Sequence, residues 1–171
     1  RPAKSLGLNG PKIIYCEVPE DGSIISSADT VADMMLESYR HEHIAMLMTK
    51  SRHPVHKELA DQSRDIYFKT LWRTDEIFYG TVTGFKGLER NCIILAVDGF
   101  HDAEKAREIM YVGSTRARDI LVVVSKRETL ASCVSPEFMA ILDANHMELD
   151  DYGTDTEFKS TIESEDEVSN V

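Results

Sequence analysis

Short apolar runs alternate along the chain with stretches in which apolar residues recur at helical spacing. The run over 92–97 is unbroken, as expected for a strand that is covered on both faces. Such alternation is typical of an α/β fold, with a parallel sheet and helices on both of its faces. We therefore predict strands at 12–18, 43–48, 66–68, 77–82, 92–97 and 120–124.

Helices are predicted where capping signals precede an apolar periodicity. Ser26 and Asp29 have the spacing of a capping box. Pro54 suits the first turn of another helix, whose apolar face would carry Val55 and Leu59. The predicted helices span 26–40, 54–65, 103–118 and 136–146.

Length and charge divide the chain into three parts. The 171 residues correspond to about one domain. Pro2, Gly7 and Gly10 mark 1–10 as a leader or linker, and 11–146 is predicted to form the folded domain. The segment 147–171 holds nine of the 30 acidic residues and one of the 19 basic ones, so we expect an acidic, disordered tail. The tail carries −8 of the net charge of −11, and the nearly neutral remainder is not expected to bind nucleic acid tightly by itself.

The composition also bears on the compartment. No run approaches the ~18 apolar residues of a membrane span, and no signal segment stands at the start. We therefore expect a cytoplasmic protein without a membrane partner, and the first residue, Arg1, suggests a piece of a longer chain. Cys16, Cys92 and Cys133 are expected to be buried thiols, because no Cys-x-x-Cys pair is present.

The first candidate motif is Gly-Thr-Val-Thr-Gly-Phe-Lys-Gly-Leu-Glu over 80–89. Gly80, Gly84 and Gly87 lie within eight residues, so the backbone can turn tightly and bring its amides against an anion. Thr81 and Thr83 alternate along the predicted strand and would donate hydroxyls in one direction. A plain strand and turn is the alternative interpretation.

The second candidate motif is Tyr-Val-Gly-Ser-Thr-Arg-Ala-Arg over 111–118. On the predicted helix, Gly113 and Ala117 share a stripe that would pack on the sheet. Arg116 falls at the margin of that stripe, whereas Arg118 would be solvated. A guanidinium held at such a margin suits a phosphate, which it can bind bidentately. An interface salt bridge is the alternative.

Both segments, in this order, resemble motifs V and VI of the UvrD/Rep-type superfamily 1 helicases, whose usual forms are Thr-x-His-x-x-Lys-Gly-Leu-Glu and Tyr-Val-Gly-x-Thr-Arg-Ala. The resemblance extends loosely over about 12–125. It implies a RecA-like fold, in which Thr81 contacts the DNA backbone and Thr83 replaces the motif V histidine. It further implies that Gly87 lies near the γ-phosphate, that Glu89 binds the nucleotide ribose and that Arg116 is the catalytic arginine finger.

The stretch 43–52 stands where motif IV would be, but Met48 and Thr49 occupy the positions of the family's tyrosine and arginine. Lys50 or Arg52 could substitute for that second finger. The 28 residues between Arg52 and Thr81 leave no room for an inserted 2B domain. The chain therefore resembles the compact UvrD-like C-terminal domains, usually called 2A.

The sequence has no Gly-x4-Gly-Lys-Ser/Thr P-loop and no strand ending in Asp-Glu. Because a P-loop holds the β- and γ-phosphates and places Mg²⁺, this chain could complete an ATP site but not make one. The resemblance thus implies an ATP-driven motor that moves on single-stranded DNA, or on RNA, with ATP and Mg²⁺ bound mainly by an upstream P-loop domain. The alternative is a degenerate, non-enzymatic domain that binds nucleic acid or a protein.

Two further groups are less specific. Five aromatic residues crowd into 67–79, where they could stack on unpaired bases but more often fill a core. His53 and His56 lack a carboxylate or cysteine at ligand spacing, so no metal site is predicted. The five aromatic residues are Tyr67, Phe68, Trp72, Phe78 and Tyr79.

Overall fold

The sheet is parallel throughout, as the alternating pattern predicts. In the computed structural model, which describes residues 10–148, six strands lie in the order β3-β2-β4-β5-β1-β6. The predicted α/β fold, with a parallel sheet and helices on both faces, is confirmed. The strands are β1 (Lys12–Glu17), β2 (Ile44–Met48), β3 (Phe78–Thr81), β4 (Arg90–Val97), β5 (Ala117–Ser125) and β6 (His146–Glu148).

Helices cover the two faces unequally. Among the helices of residues 10–148, one face packs only on α1, through Val31 and Met35, and the opposite face packs on the helices that follow β2. Apolar side chains of β4 and β5 alternate between the two cores, which is why these strands read as unbroken apolar runs. The helices are α1 (Ile24–Met35), α2 (Pro54–Gln62), α3 (Arg64–Lys69), α4 (Ala106–Ser114), α5 (Arg127–Ala131) and α6 (Pro136–Ala144).

The predicted strand at 66–68 is wrong, because these residues lie within helix α3. The Ser63 side chain caps this helix by accepting the backbone N–H of Asp65. Tyr67 is buried while its neighbours on either side are exposed. A three-residue apolar run is too short to separate a strand from a helical turn by periodicity.

The helix predicted over 103–118 also ends too late. A 3₁₀ turn, Ala103–Lys105, precedes α4, Thr115 caps its end, and β5 begins at Ala117. The carbonyl of Arg116 already accepts the N–H of Arg90, so the strand pairing with β4 starts where the helix was expected to continue. Arg116 is therefore in a turn and Arg118 in a strand, and the helical argument that separated them does not hold.

The remaining helix boundaries also differ: α1 ends at Met35 rather than at residue 40, and α2 ends at Gln62 rather than at residue 65. The cap of α1 is Ser23, which accepts from the N–H of Ser26, so the helix is capped three residues before the predicted capping box. In α2 the buried residue is His56, and Val55 is exposed. The last helix ends at Ala144 rather than at residue 146.

The strand β6 extends the sheet beyond the predicted end of the domain. Met147, which the sequence assigned to the acidic tail, pairs with Cys16 of β1. The leader predicted at 1–10 falls outside the described residues except for Gly10, and so does the tail predicted at 147–171 except for its first two residues.

Candidate functional site

The predicted site residues fall at two opposite edges of the sheet. Thr81 is the last residue of β3 and Thr83 lies in the turn that follows, so both belong to the carboxyl edge. Glu89 directly precedes β4 and Arg116 directly precedes β5, which places them with Gly87 at the amino edge. The predicted nucleic-acid residues are therefore separated from the predicted nucleotide residues by the length of the strands.

At the amino edge, the arginine predicted to be the finger folds back on the end of α4. The Arg116 Nε donates to the carbonyl of Val112 at 3.0 Å, and Nη1 reaches the carbonyl of Leu88 at 3.5 Å. Its Nη2 donates to Oγ1 of Thr115 at 3.1 Å. The side chain is half-buried, and these bonds occupy three of the five N–H groups of a guanidinium. The remaining two are available to an anion.

Gly87 supplies the turn before β4. Its φ of 87° lies in the left-handed region that favours glycine, and nothing lies within 4 Å of where a Cβ would stand. The neighbouring Glu89 is exposed and forms a salt bridge with Arg118, with 3.2 Å between Oε2 and Nε. The carboxylate is thus held at the amino end of β4, and Arg118 has a partner where the sequence predicted only solvent.

At the carboxyl edge, a cavity of about 640 Å³ opens beyond β2 and β3. Thr81 and Thr83 both contribute to its wall, as their proposed common role requires. The described residues that line it include three permanent cations and no carboxylate. The lining residues are Thr49, Lys50, Arg52, His56, Ala60, Arg64, Tyr67, Phe68, Thr81, Thr83, Gly84 and His101.

One carboxylate fixes the loop that carries two of these cations. Asp98 Oδ1 accepts the backbone N–H of Lys50 at 3.0 Å, and its Oδ2 accepts that of Ser51 at 2.9 Å. The buried Thr49 hydroxyl donates to the carbonyl of Gly99 at 2.8 Å. The loops after β2 and β4 are thereby joined. From these two adjacent strands the chain continues in opposite directions along the sheet, from β2 to β3 and from β4 to β5. Ligands of open parallel sheets commonly bind at such a point.

This placement corrects one expectation. Lys50 and Arg52 line the cavity with Thr81, whereas Gly87 and Arg116 lie at the other edge of the sheet. The two cations are therefore not placed to substitute for a second finger beside Arg116.

Thr81 has a structural bond in addition to its place in the cavity. Its Oγ1 accepts the backbone N–H of Gly84 at 3.2 Å, which closes the turn after β3. The hydroxyl proton is not used in that bond and remains a donor. Thr83 is exposed in the same turn.

The two histidines form internal contacts. His53 Nδ1 accepts the N–H of Val55, and its Nε2 lies 3.0 Å from Oδ1 of Asp29. The His56 ring stacks on Tyr67, with 4.2 Å between centroids and 6° between planes. Burial, together with the charges of Arg52 and His53, lowers the pKa of His56 to about 4. Among residues 10–148, no group of three or more histidine, cysteine, aspartate or glutamate residues could hold a metal ion.

The cysteines have the environment that was expected. Cys16, Cys92 and Cys133 are buried thiols, which confirms that prediction. Burial raises the pKa of Cys133 to about 11, and the pKa of Cys92 is also raised, mainly by burial. A thiol in that state is a poor nucleophile.

The sequence did not single out every residue of the cavity. Arg64 in α3 and His101 in the loop after β4 were not named, and Phe68 was named only among the clustered aromatic residues. The available signal was the pair of cations after β2, Lys50 and Arg52, with Arg64 twelve residues after Arg52. None of the helices within residues 10–148 is long and apolar enough to cross a membrane.

Comparison with known proteins adds little. No protein-family model matches the chain, and no curated protein matches its sequence. Among solved structures, the chain is similar to the C-terminal domain of a possible DNA helicase from Lactobacillus plantarum WCFS1. The identity is 14%, the match covers 82% of this chain and 85% of that one, and the TM-score is 0.46. A similarity at this level carries no argument about function, which must be inferred from the residues themselves.

Proposed function

We propose that this chain is the second RecA-like domain of a compact UvrD/Rep-type superfamily 1 helicase or translocase. In that role it supplies half of an ATP site to an upstream P-loop domain of the same protein. The observation that carries the proposal is the grouping of Gly87, Glu89 and Arg116 at the amino ends of two adjacent strands, β4 and β5.

The chemistry of these residues fits a nucleotide. Arg116 keeps two N–H groups free for phosphate oxygens, and Glu89 can accept from a ribose hydroxyl. The open left-handed turn at Gly87 leaves the backbone accessible to a phosphate. ATP, bound with Mg²⁺ mainly by the P-loop domain, would supply the phosphoryl transfer that powers movement. Arg116 would stabilise the charge that develops on the phosphate oxygens.

The carboxyl edge supports the other half of the proposal, contact with a single strand. Thr81 and Thr83 provide hydroxyls, and Lys50, Arg52 and Arg64 provide positive charge without a carboxylate in the described lining. Cations in such a groove bind phosphates independently of sequence. The nucleotide and the single-stranded nucleic acid would thus contact the domain at opposite edges of the sheet. A change at the nucleotide site could then be transmitted along the β-strands to the other edge.

The test compares this chain alone with the same chain joined to the P-loop domain encoded upstream. We expect ATP hydrolysis, stimulated by single-stranded DNA, only from the joined protein. Turnover by the purified chain alone would contradict the shared site. A parallel assay with single-stranded RNA identifies the preferred track.

A second function is supported by the cavity itself. Its cations can bind phosphates without any ATP site, which suits a degenerate domain that only binds nucleic acid. The same comparison separates the two functions, because a binding module would retain single-strand binding and show no hydrolysis when joined to its neighbour.

A further inference from the structure

The structure separates five clustered aromatic residues that the sequence could not distinguish. Tyr67 and Phe78 are buried, and the ring of Tyr79 stacks on His53 with 4.4 Å between centroids. Phe68 is 43% exposed and Trp72 is 78% exposed. Of these two exposed rings, only Phe68 lines the cationic cavity.

Phe68 is presented on a supported surface. Arg64 lies one turn earlier in α3, with its guanidinium carbon 5.7 Å from the centroid of the Phe68 ring. Both side chains line the cavity. Between them, Tyr67 anchors the helix through its stack on His56. Because a ring face and a guanidinium plane each stack on bases, the pair offers two groups suited to contact with a nucleobase.

Positive charge lies across the same cavity. Lys50 and Arg52 follow β2, and the hydrogen bonds that Asp98 accepts from the backbone fix their loop. The volume of about 640 Å³ is within the range of roughly 300–1,000 Å³ of small-ligand sites. A stacking surface beside cations, in a cavity of this size, matches the two parts of a nucleotide unit within a strand.

We propose that the cavity holds an unpaired base of a single strand against Arg64 and Phe68, while Lys50 and Arg52 contact the adjoining phosphates. This inference rests on the proposed function and adds a base-contacting subsite to it. Such a subsite is tolerant of sequence, because every base has a stacking face. It excludes double strands, in which the base is already stacked and paired.

The experiment uses the 171-residue chain at low salt and two fluorescent probes of equal length. One is dT12, and the other is a 12-unit abasic strand with the same phosphates. Stacking of one base contributes ~1–3 kcal/mol, so dT12 should bind roughly 5- to 150-fold more tightly than the abasic strand. Anisotropy titrations measure both dissociation constants.

Variants assign the two parts of the subsite. Phe68→Ala and Phe68→Leu should each bring the affinity for dT12 close to that for the abasic strand, and the leucine retains apolar bulk if alanine perturbs the fold. The double variant Lys50→Gln, Arg52→Gln should weaken the binding of both probes by the same factor. Trp72→Ala is the matched control, because Trp72 is exposed but lies outside the cavity, and it should change neither.

The outcomes separate the subsite from the proposed function. Equal affinity for the two probes, unaffected by Phe68→Leu, overturns the base subsite while phosphate binding stands. Binding to neither probe at low salt contradicts the nucleic-acid role itself. A loss of dT12 affinity with Trp72→Ala as large as with Phe68→Leu would place the base outside this cavity.

Discussion

Arg118 and Glu89 join the amino ends of β5 and β4 through a salt bridge in which Nε lies 3.2 Å from Oε2. Their side chains are 62% and 50% exposed, so the pair contributes only ~0–1 kcal/mol to stability. Its effect is on position, because it limits the orientations of a carboxylate that we propose binds ribose. If Glu89 binds ribose as proposed, Arg118 acts as a positioning residue rather than as a solvated neighbour of Arg116.

Arg118→Ala should therefore raise the KM for ATP of the joined protein by a few-fold and leave kcat unchanged. A change confined to KM indicates lost binding that is equal in the ground and transition states. Steady-state kinetics over a range of ATP concentrations measures the split. Arg107→Ala, at an exposed position of α4, is the control and should change neither constant. A fall in kcat on replacing Arg118 would show that it acts on the reacting phosphate.

Arg116→Ala should cut ATP turnover of the joined protein by at least ~10³, the range of measured arginine fingers. Nucleotide binding should persist, because the P-loop half supplies most ground-state affinity. The variant also loses the bond from Nε to the Val112 carbonyl, so its melting temperature should fall by a few degrees while the fold is retained. Turnover and thermal unfolding are measured on the same preparation. A loss of activity that merely follows a loss of folded protein would reduce Arg116 to a structural role.

The strand pattern was predictable because a sheet covered on both faces leaves unbroken apolar runs, as at Cys92 and Val97 in β4. The end of α4 was not. Gly113 and Ala117 continue the helical period, but the N–H of Arg90 pairs with the carbonyl of Arg116 and starts the sheet there. Pairing with a distant strand is a tertiary effect that a helical wheel does not contain.

The amino-edge grouping could be predicted only through the motif resemblance, since Glu89 and Arg116 are far apart in sequence. The cavity was even harder to predict from the sequence. Phe68 and Trp72 are equivalent in the sequence, and their separation depends on α3 turning only Phe68 toward the loop after β2. A helix of six residues, such as α3, carries too little periodicity to give such a direction.

His56 predicts a pH dependence of stability. Burial, Arg52 and His53 lower its pKa from the ordinary 6.5 to about 4, so the folded protein keeps this ring neutral where the unfolded chain protonates it. The unfolded state then binds more protons between these two values, and the free energy of unfolding should fall as pH decreases from about 6.5 toward 4. The slope attributable to one such group is at most ~1.4 kcal/mol per pH unit.

Urea unfolding of the chain and of His56→Phe at pH 7 and pH 5 tests this dependence. The phenylalanine retains a ring to stack on Tyr67 but cannot titrate. The variant should lose less stability than the unaltered chain between pH 7 and pH 5. The carboxylates titrate in both proteins, so their contribution to the free energy of unfolding cancels in the comparison. His41→Phe, at an exposed position, should behave like the unaltered chain. Identical losses in all three proteins would show that His56 is not held neutral by the fold.

Substitutions of Gly87 can distinguish whether its glycine is required by the backbone conformation of the turn or by the proposed nucleotide site. Its φ of 87° disfavours a side chain, although no atom lies within 4 Å of the Cβ position. Gly87→Ala should therefore lower the free energy of unfolding by ~1 kcal/mol, whereas Gly87→Asn should lose less, because asparagine tolerates the left-handed region. Gly10→Ala, at an open position without a positive φ, is the control and should stay within ~0.5 kcal/mol.

Activity then distinguishes the two reasons for a glycine at this position. If a phosphate approaches the backbone of Gly87 as proposed, the asparagine of Gly87→Asn obstructs it, and ATP turnover of the joined protein should stay low even though stability is largely restored. Turnover and urea unfolding, measured on Gly87→Ala and Gly87→Asn together, give the comparison. Recovery of turnover in proportion to stability would mean that this glycine serves the turn before β4 alone, and would remove it from the nucleotide site.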